Sequence, residues 1–246
     1  MHAYPDFLIV GMMKAATTTI YEHLSKHPRV TPAKFKELHY FSRDFVALPP
    51  EGSWSYEYHE LLNYDPNDAS ALTGEASPSY IAVPERIFAF NPNCKIIIIF
   101  REPVSRCISQ FRQYKDHKLK HGSISDEILN TADLSTINFI HDSDYSARFK
   151  RFLETFPTDN ILTLSFEAFV SDQQPAMDRV FQFLGLEPVI IDSDVVTSKT
   201  KPADDEHLVR KRLSEHFADK RGAVSSLIER YKPHLYPNEI EAFHEY

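Results

Sequence analysis

The sequence predicts an α/β fold in three layers, a central, mainly parallel sheet flanked by helices. Three observations carry this. "KIIIIF" at 95–100 sets four isoleucines in a row, which calls for burial on both faces, as in a parallel strand covered by helices. "DFLIVG" at 6–11 and "NILTLSFEAF" at 160–169 are further short apolar runs. Between them lie segments of helical pattern, and alternation of strand and helix marks a parallel α/β sheet.

The elements follow in order. After the strand at 6–11 comes a helix from Thr17 to His27, with Ile20 and Leu24 at helical spacing and Pro28 as its stop. The stretch 31–45 mixes charges and aromatics and gives no clear element, while "GEASPSY" at 74–80 reads as a loop from its Gly, Ser and Pro content. Pro84 begins a short helix over 83–92, and Pro103 suits the first turn of a helix over 102–118. A further helix covers 143–157, the strand at 160–169 has a polar exit, and a helix over 175–188 is closed by Gly185. From Asp204 onward the pattern is charged and helical. With no internal repeat, no Pro-rich tract and only 6 glycines, the 246 residues are expected to form a single domain over 1–246.

Composition narrows the function classes. A formal charge of -8 argues against a general nucleic-acid partner, which needs basic groups to neutralise phosphate. The start "MHAYPDFLIVG" lacks a basic then apolar leader, and no apolar run reaches the roughly 18–20 residues of a membrane helix. Cys94 and Cys107 have neither metal nor disulfide spacing. The expectation is a cytoplasmic protein without a membrane span.

Ligands of open parallel sheets sit beyond the carboxyl ends of the strands. Lys14, Arg101, and Ser165 with Glu167 stand at such ends. At the first bend a helix N-terminus offers unpaired N–H groups and a favourable dipole. Thr17, Thr18 and Thr19 add hydroxyls there and Lys14 adds a full positive charge. The bend therefore suits a phosphate-like group. It is not the nucleotide motif G-x-x-x-x-G-K-[ST], because Lys14 follows Gly11 too early and Ala15 and Ala16 stand where glycines would. The simpler alternative is a helix capped by Thr17 beside a solvated lysine. The second strand end has Arg101, with Ser109 about two turns into the next helix at ~3.6 residues per turn. An arginine beside a helix N-terminus is a second anion site, unless Arg101 merely pairs with Glu102. Two such sites on adjacent strand ends suggest a ligand with two separated phosphate groups.

Five stretches, "PDFLIVGMMKAATTTIYEHLSKHP", "KELHYF", "GEASPSY", "IIIIFREPVSRCISQF" and "LSFEAFVSDQQPAMDRVFQFLGL", stand in this order. The ordered set resembles the sulfotransferase family, above all bacterial sulfotransferases and the sulfotransferase domains of the heparan sulfate group. The resemblance covers nearly the whole chain and is weakest after about residue 190. It implies a P-loop-like version of the three-layer fold. It also implies 3′-phosphoadenosine 5′-phosphosulfate (PAPS) as donor and 3′-phosphoadenosine 5′-phosphate (PAP) as product. By resemblance Lys14, Ala15, Ala16, Thr17, Thr18 and Thr19 contact the 5′-phosphosulfate, and Arg101 and Ser109 hold the 3′-phosphate. Lys199 or Lys201 of "SKTKP" at 198–202 is the nearest match to the family's basic C-terminal loop. Glu37 matches the catalytic base, Lys14 would stabilise the leaving phosphate oxygen, and His39 would orient the acceptor or share the proton work. If the segment is extended, Glu37 and His39 share one side. The plainer alternatives are an ion pair of Glu37 with Lys34 or Lys36, and a His39 packed among Tyr40 and Phe41.

No metal is implied; His117 and His121 are four apart without a third ligand. Two departures stand out. The family often has Gly at the position of Ala16, where a methyl opposes positive φ unless the loop keeps right-handed geometry. Heparan-type enzymes often carry Lys at the position of Ala76. The acceptor is expected to be a hydroxyl, in second place an amine, of a saccharide or other small metabolite. Phe45, Trp54, Tyr56, Tyr58, Tyr64 and Tyr80 could stack on it or belong to the core, and the basic run 115–121 could attract an acidic saccharide. The alternatives in other classes are a P-loop-like small-molecule kinase and a catalytically silent nucleotide-binding module.

Overall fold

The structure is a computed structural model and describes residues 4–45, 58–63, 71–117, 122–192, 206–220, 222–231 and 233. Five strands form one sheet: β1 (Phe7–Gly11), β2 (Val30–Pro32), β3 (Leu72–Ala76), β4 (Lys95–Phe100) and β5 (Ile161–Ser165). Their order is β2-β3-β1-β4-β5, and every neighbouring pair is parallel. All of β1 and all of β5 are buried, as is β4 after Lys95. The apolar runs read from the sequence are thus central strands covered on both faces.

The helices are α1 (Thr17–Ser25), α2 (Tyr58–Leu61), α3 (Pro84–Phe90), α4 (Pro103–Asp116), α5 (Ile124–Asn130), α6 (Asn138–His141), α7 (Ser146–Thr155), α8 (Phe166–Ser171), α9 (Gln173–Leu184), α10 (Glu206–His216) and α11 (Ala223–Tyr231). Ile20 and Leu24 of α1, Phe149 and Phe152 of α7, and Val180 and Phe181 of α9 join the sheet in one core. Cys107, Ile108 and Phe111 of α4 build a second cluster with Ile128, Phe139, Val209 and Leu213. Gly185 ends α9 in the left-handed region at φ 69, the conformation that most favours glycine. No helix among the described residues is long and apolar enough to cross a membrane.

Two sequence expectations are corrected. "GEASPSY" is not a loop: Leu72–Ala76 is an inner strand and Pro78–Ala82 a 3-10 turn. The strand tolerates polar residues because they are satisfied inside, Thr73 Oγ1 donating to Leu62 O at 2.8 Å. Gly74 is needed there, since a Cβ would lie 2.3 Å from Phe7 O on β1. The strand expected over 160–169 stops at Ser165, whose Oγ accepts the Ala168 N–H at 3.3 Å and so caps α8.

The chain leaves β1 toward β2 and β3, and leaves β4 toward β5. β1 and β4 are adjacent, so their carboxyl ends flank the point where the winding reverses. That crevice is where a parallel sheet receives ligands.

Candidate functional site

The first wall of the crevice is the loop after β1. Met12 N–H still pairs with Ile99 O of β4 at 2.7 Å. Lys14 then turns to φ 68 and Ala16 to φ 62. The loop thus does not stay right-handed; Ala16 adopts the left-handed conformation despite its methyl. Ala16 is also the N-cap of α1, and no side chain caps the helix. This corrects the reading of Thr17 as cap. The first N–H groups of α1 have neither an intrahelical nor a side-chain acceptor, which is what an anion site requires. Thr17 is buried at the start of the helix, Thr18 is exposed and Thr19 half-buried.

Two arginines brace this loop. Arg101, just past β4, donates from Nη1 to Lys14 O at 2.7 Å. Arg106, on α4, is 1% exposed and donates from Nε to Met13 O at 3.1 Å. Its other donors go to Phe139 O, Ser143 Oγ and Gln110 Oε1. Sequence reasoning missed Arg106; the available signal was an arginine inside the apolar stripe of α4. Burial draws the Lys14 ammonium below its usual pKa; Arg101, Lys36 and Arg106 push the same way and Glu37 opposes them.

Arg101 is held from several directions. Its guanidinium lies 4.2 Å from the centroid of the Phe166 ring, and its carbonyl accepts from Tyr145 Oη at 2.9 Å. Its Nε is buried with no hydrogen-bond partner. The N-terminus of α4 is not the free anion site expected beside it. The Glu102 carboxylate fills it, accepting from Val104 N at 2.8 Å and Ser105 N at 2.7 Å. A phosphate at this end would depend on Arg101 and on Ser109, which is half-buried on α4.

The opposite wall is the segment around Glu37, hung on the end of β3. Glu37 N donates to Ala76 O at 3.2 Å, Leu38 N to Glu75 Oε2 at 3.1 Å and His39 N to Ser77 Oγ at 3.2 Å. The segment is not extended: Glu37 and His39 take φ 60 and 52. This backbone still brings the two side chains together, with His39 Nε2 3.5 Å from Glu37 Oε2. The other Glu37 oxygen is gripped by Lys36 Nζ. The hydrogen bond from His39 is the main cause that holds the Glu37 carboxyl near pKa about 2; burial opposes it and Lys36 adds to it. His39 Nδ1 meets Ser79 Oγ at 2.8 Å, and Ser79 meets Ser42 Oγ at 2.6 Å. His39 is therefore wired into a hydroxyl chain rather than packed between Tyr40 and Phe41.

Behind this wall lies Glu75, with no exposure. Besides Leu38 N it accepts from Tyr58 Oη at 2.8 Å, Ser77 Oγ at 2.7 Å and Tyr80 Oη at 2.6 Å. Burial raises its pKa against the lowering effect of these donors. Tyr58 and Tyr80 are therefore core residues serving Glu75, not an acceptor platform. Trp54, Tyr56, Tyr64, His121, Lys199 and Lys201 lie outside the described residues, as does the side chain of Phe45.

The crevice thus joins a braced lysine, an uncapped helix start and an arginine to a carboxylate with a histidine. Among known proteins, the description "Sulfotransferase domain" fits residues 4–246 of this chain. Heparan sulfate glucosamine 3-O-sulfotransferase 5 of Mus musculus is 28% identical over 207 residues, 80% of this chain and 58% of that protein. Heparan sulfate glucosamine 3-O-sulfotransferase 6 of Homo sapiens is 30% identical over 212 residues, 80% of this chain and 57% of that protein. The chain therefore spans little more than half the length of these relatives. A sulfotransferase crystal structure from Alicyclobacillus acidocaldarius shares the fold, with TM-score 0.75 at 24% identity over 94% of this chain and 100% of that one.

Proposed function

The chain belongs to the sulfotransferase domain family, and on that premise we propose that it moves a sulfuryl group from PAPS to a hydroxyl. The single observation behind this reading is that neighbouring strands present Glu37 and Lys14 at the same end of the sheet, Glu37 hung on the last residue of β3 and Lys14 in the loop after β1, braced by Arg101. Sulfuryl transfer needs a base at the acceptor and a cation at the leaving oxygen, and these two residues are of those kinds.

In the proposed step the acceptor oxygen attacks sulfur as its proton passes to Glu37. The bond from sulfur to the bridging phosphate oxygen breaks, and that oxygen keeps the electron pair. Lys14 neutralises the charge that develops there. The products are the sulfated acceptor and PAP. The first N–H groups of α1, with Thr17, Thr18 and Thr19, would receive the 5′-phosphate, and Arg101 with Ser109 the 3′-phosphate. His39, held by Ser79, would keep the Glu37 carboxylate aimed at the acceptor. The names of the relatives in mouse and human support a saccharide hydroxyl as the first acceptor class to test. A single domain over 1–246 is part of the same reading.

The test is thermal stabilisation by PAP and, separately, by ATP with magnesium, followed by a labelled-sulfate transfer screen. A ligand that binds only the folded state raises the melting temperature. Stabilisation by PAP alone, followed by transfer to a saccharide panel, is the expected result. Stabilisation by magnesium-ATP alone would point to a kinase. PAP binding without transfer to any acceptor would point to a silent module.

A further inference from the structure

We infer that Lys36 is a catalytic residue that exchanges partners: it holds Glu37 in the free protein and moves to the sulfuryl oxygens when PAPS binds. The inference rests on the donor reading above and adds a function to a residue that reading leaves idle.

The geometry is specific. Lys36 Nζ sits on one oxygen of Glu37 while His39 stands 3.5 Å from the other. The backbone beneath is pinned at Glu37, Leu38 and His39 by β3 and the turn after it. The Lys36 side chain is 30% exposed, so its long stem can swing while the segment stays fixed. The segment that carries Lys36 hangs on the end of β3, the strand beside β1 and therefore beside the loop of Lys14. The position at the end of β3 that could have offered another cation carries Ala76, which has no exposure.

The chemistry needs such a group. A sulfuryl group in transfer carries three oxygens that are neither attacking nor leaving. Lys14 is committed to the leaving side and Glu37 to the acceptor side. Left on Glu37, Lys36 occupies one carboxylate oxygen and adds to the His39 hydrogen bond that mainly holds the carboxyl at pKa about 2. Moved to the sulfuryl oxygens, it neutralises charge at the reacting centre and frees Glu37 to take a proton. The titratable groups that act on Glu37 are then the His39 imidazole from its own segment and Lys14 from the loop after β1. Donor binding would thereby relieve Glu37 of one of its two partners and leave it the other, His39.

PAP and PAPS differ by this sulfuryl group, and they separate the outcomes. Dissociation constants for both are measured on wild type, Lys36→Met and Lys36→Arg. Lys36→Met is expected to weaken PAPS at least tenfold and PAP less than threefold, with Lys36→Arg recovering most of the PAPS affinity. Equal loss of both ligands would make Lys36 structural, and loss of neither would leave it a surface ion pair; either result overturns the inference. A wild type that binds neither ligand would overturn the donor reading itself, and this inference with it.

Discussion

The carboxylate of Glu75 accepts the backbone N–H of Leu38 at 3.1 Å, so a side chain with no exposure fixes the backbone between Glu37 and His39. The peptide links on either side of Leu38 cannot rotate without breaking that bond. The two residues with positive φ are held there by a buried acceptor rather than by glycine.

Glu75→Ala would strip the partner from Leu38 N–H, Ser77 and two tyrosines at once. Each unsatisfied buried group costs ~1–3 kcal/mol, so a loss of at least ~3 kcal/mol is expected in urea denaturation. Glu75→Gln keeps the shape but replaces an acceptor oxygen by a donor, and should fall between wild type and Glu75→Ala. A Glu75→Ala variant as stable as wild type would show that the network contributes nothing net.

Phe166 lies under the Arg101 guanidinium. Phe166→Leu keeps apolar volume but removes the ring face, a contact worth roughly 1 kcal/mol. PAP affinity should fall about fivefold, read by calorimetric titration, with little change in melting temperature. Unchanged affinity would mean that the ring does not aim Arg101.

The depressed pKa of Glu37 makes a statement about acid. Its folded value near about 2 lies below the ordinary 4.5, so the unfolded chain takes up the proton first. The carboxylate therefore stabilises the fold fully above pH 4.5, and that contribution is lost as pH falls toward 2. The stability advantage of wild type over Glu37→Gln should shrink over that interval. A constant difference across it would show that Glu37 is not held as described.

Gly74→Ala would place a methyl 2.3 Å from Phe7 O, against backbone that cannot swing aside. Overpacking of this kind costs ~1–3 kcal/mol, and thermal melts should show it. PAP affinity, measured below the melting transition, should stay near that of wild type.

Legibility in the sequence followed how local each signal was. The isoleucine run of β4 and the apolar run of β1 announce themselves because burial on both faces leaves no polar position. Lys14 and Arg101 were readable as strand-end cations, and the adjacency of their strands followed from the fold class. β3 was hidden because "GEASPSY" carries turn-forming residues, and only the internal partners of Thr73 and Glu75 make it a strand. The end of β5 was missed because Ser165 stops the strand by capping α8, a three-residue effect inside an apolar run. In the sequence Glu102 stands only as a pairing partner for Arg101, whereas its carboxylate caps the start of α4. Glu75 was out of reach, and Arg106 showed itself only as an arginine inside the apolar stripe of α4, since the role of a buried charge is set by partners scattered along the chain, such as Phe139 and Ser143 for Arg106.

The contact between Arg101 and the Lys14 carbonyl joins positions 87 residues apart. A growing polypeptide that has just completed the first βα unit holds the lysine and the helix start but not the brace. Loop closure over such a distance comes with pairing of β1 and β4, not before. On the proposed reading, competence to seize the donor arrives with assembly of the middle of the sheet, and immature or truncated chains would not sequester it.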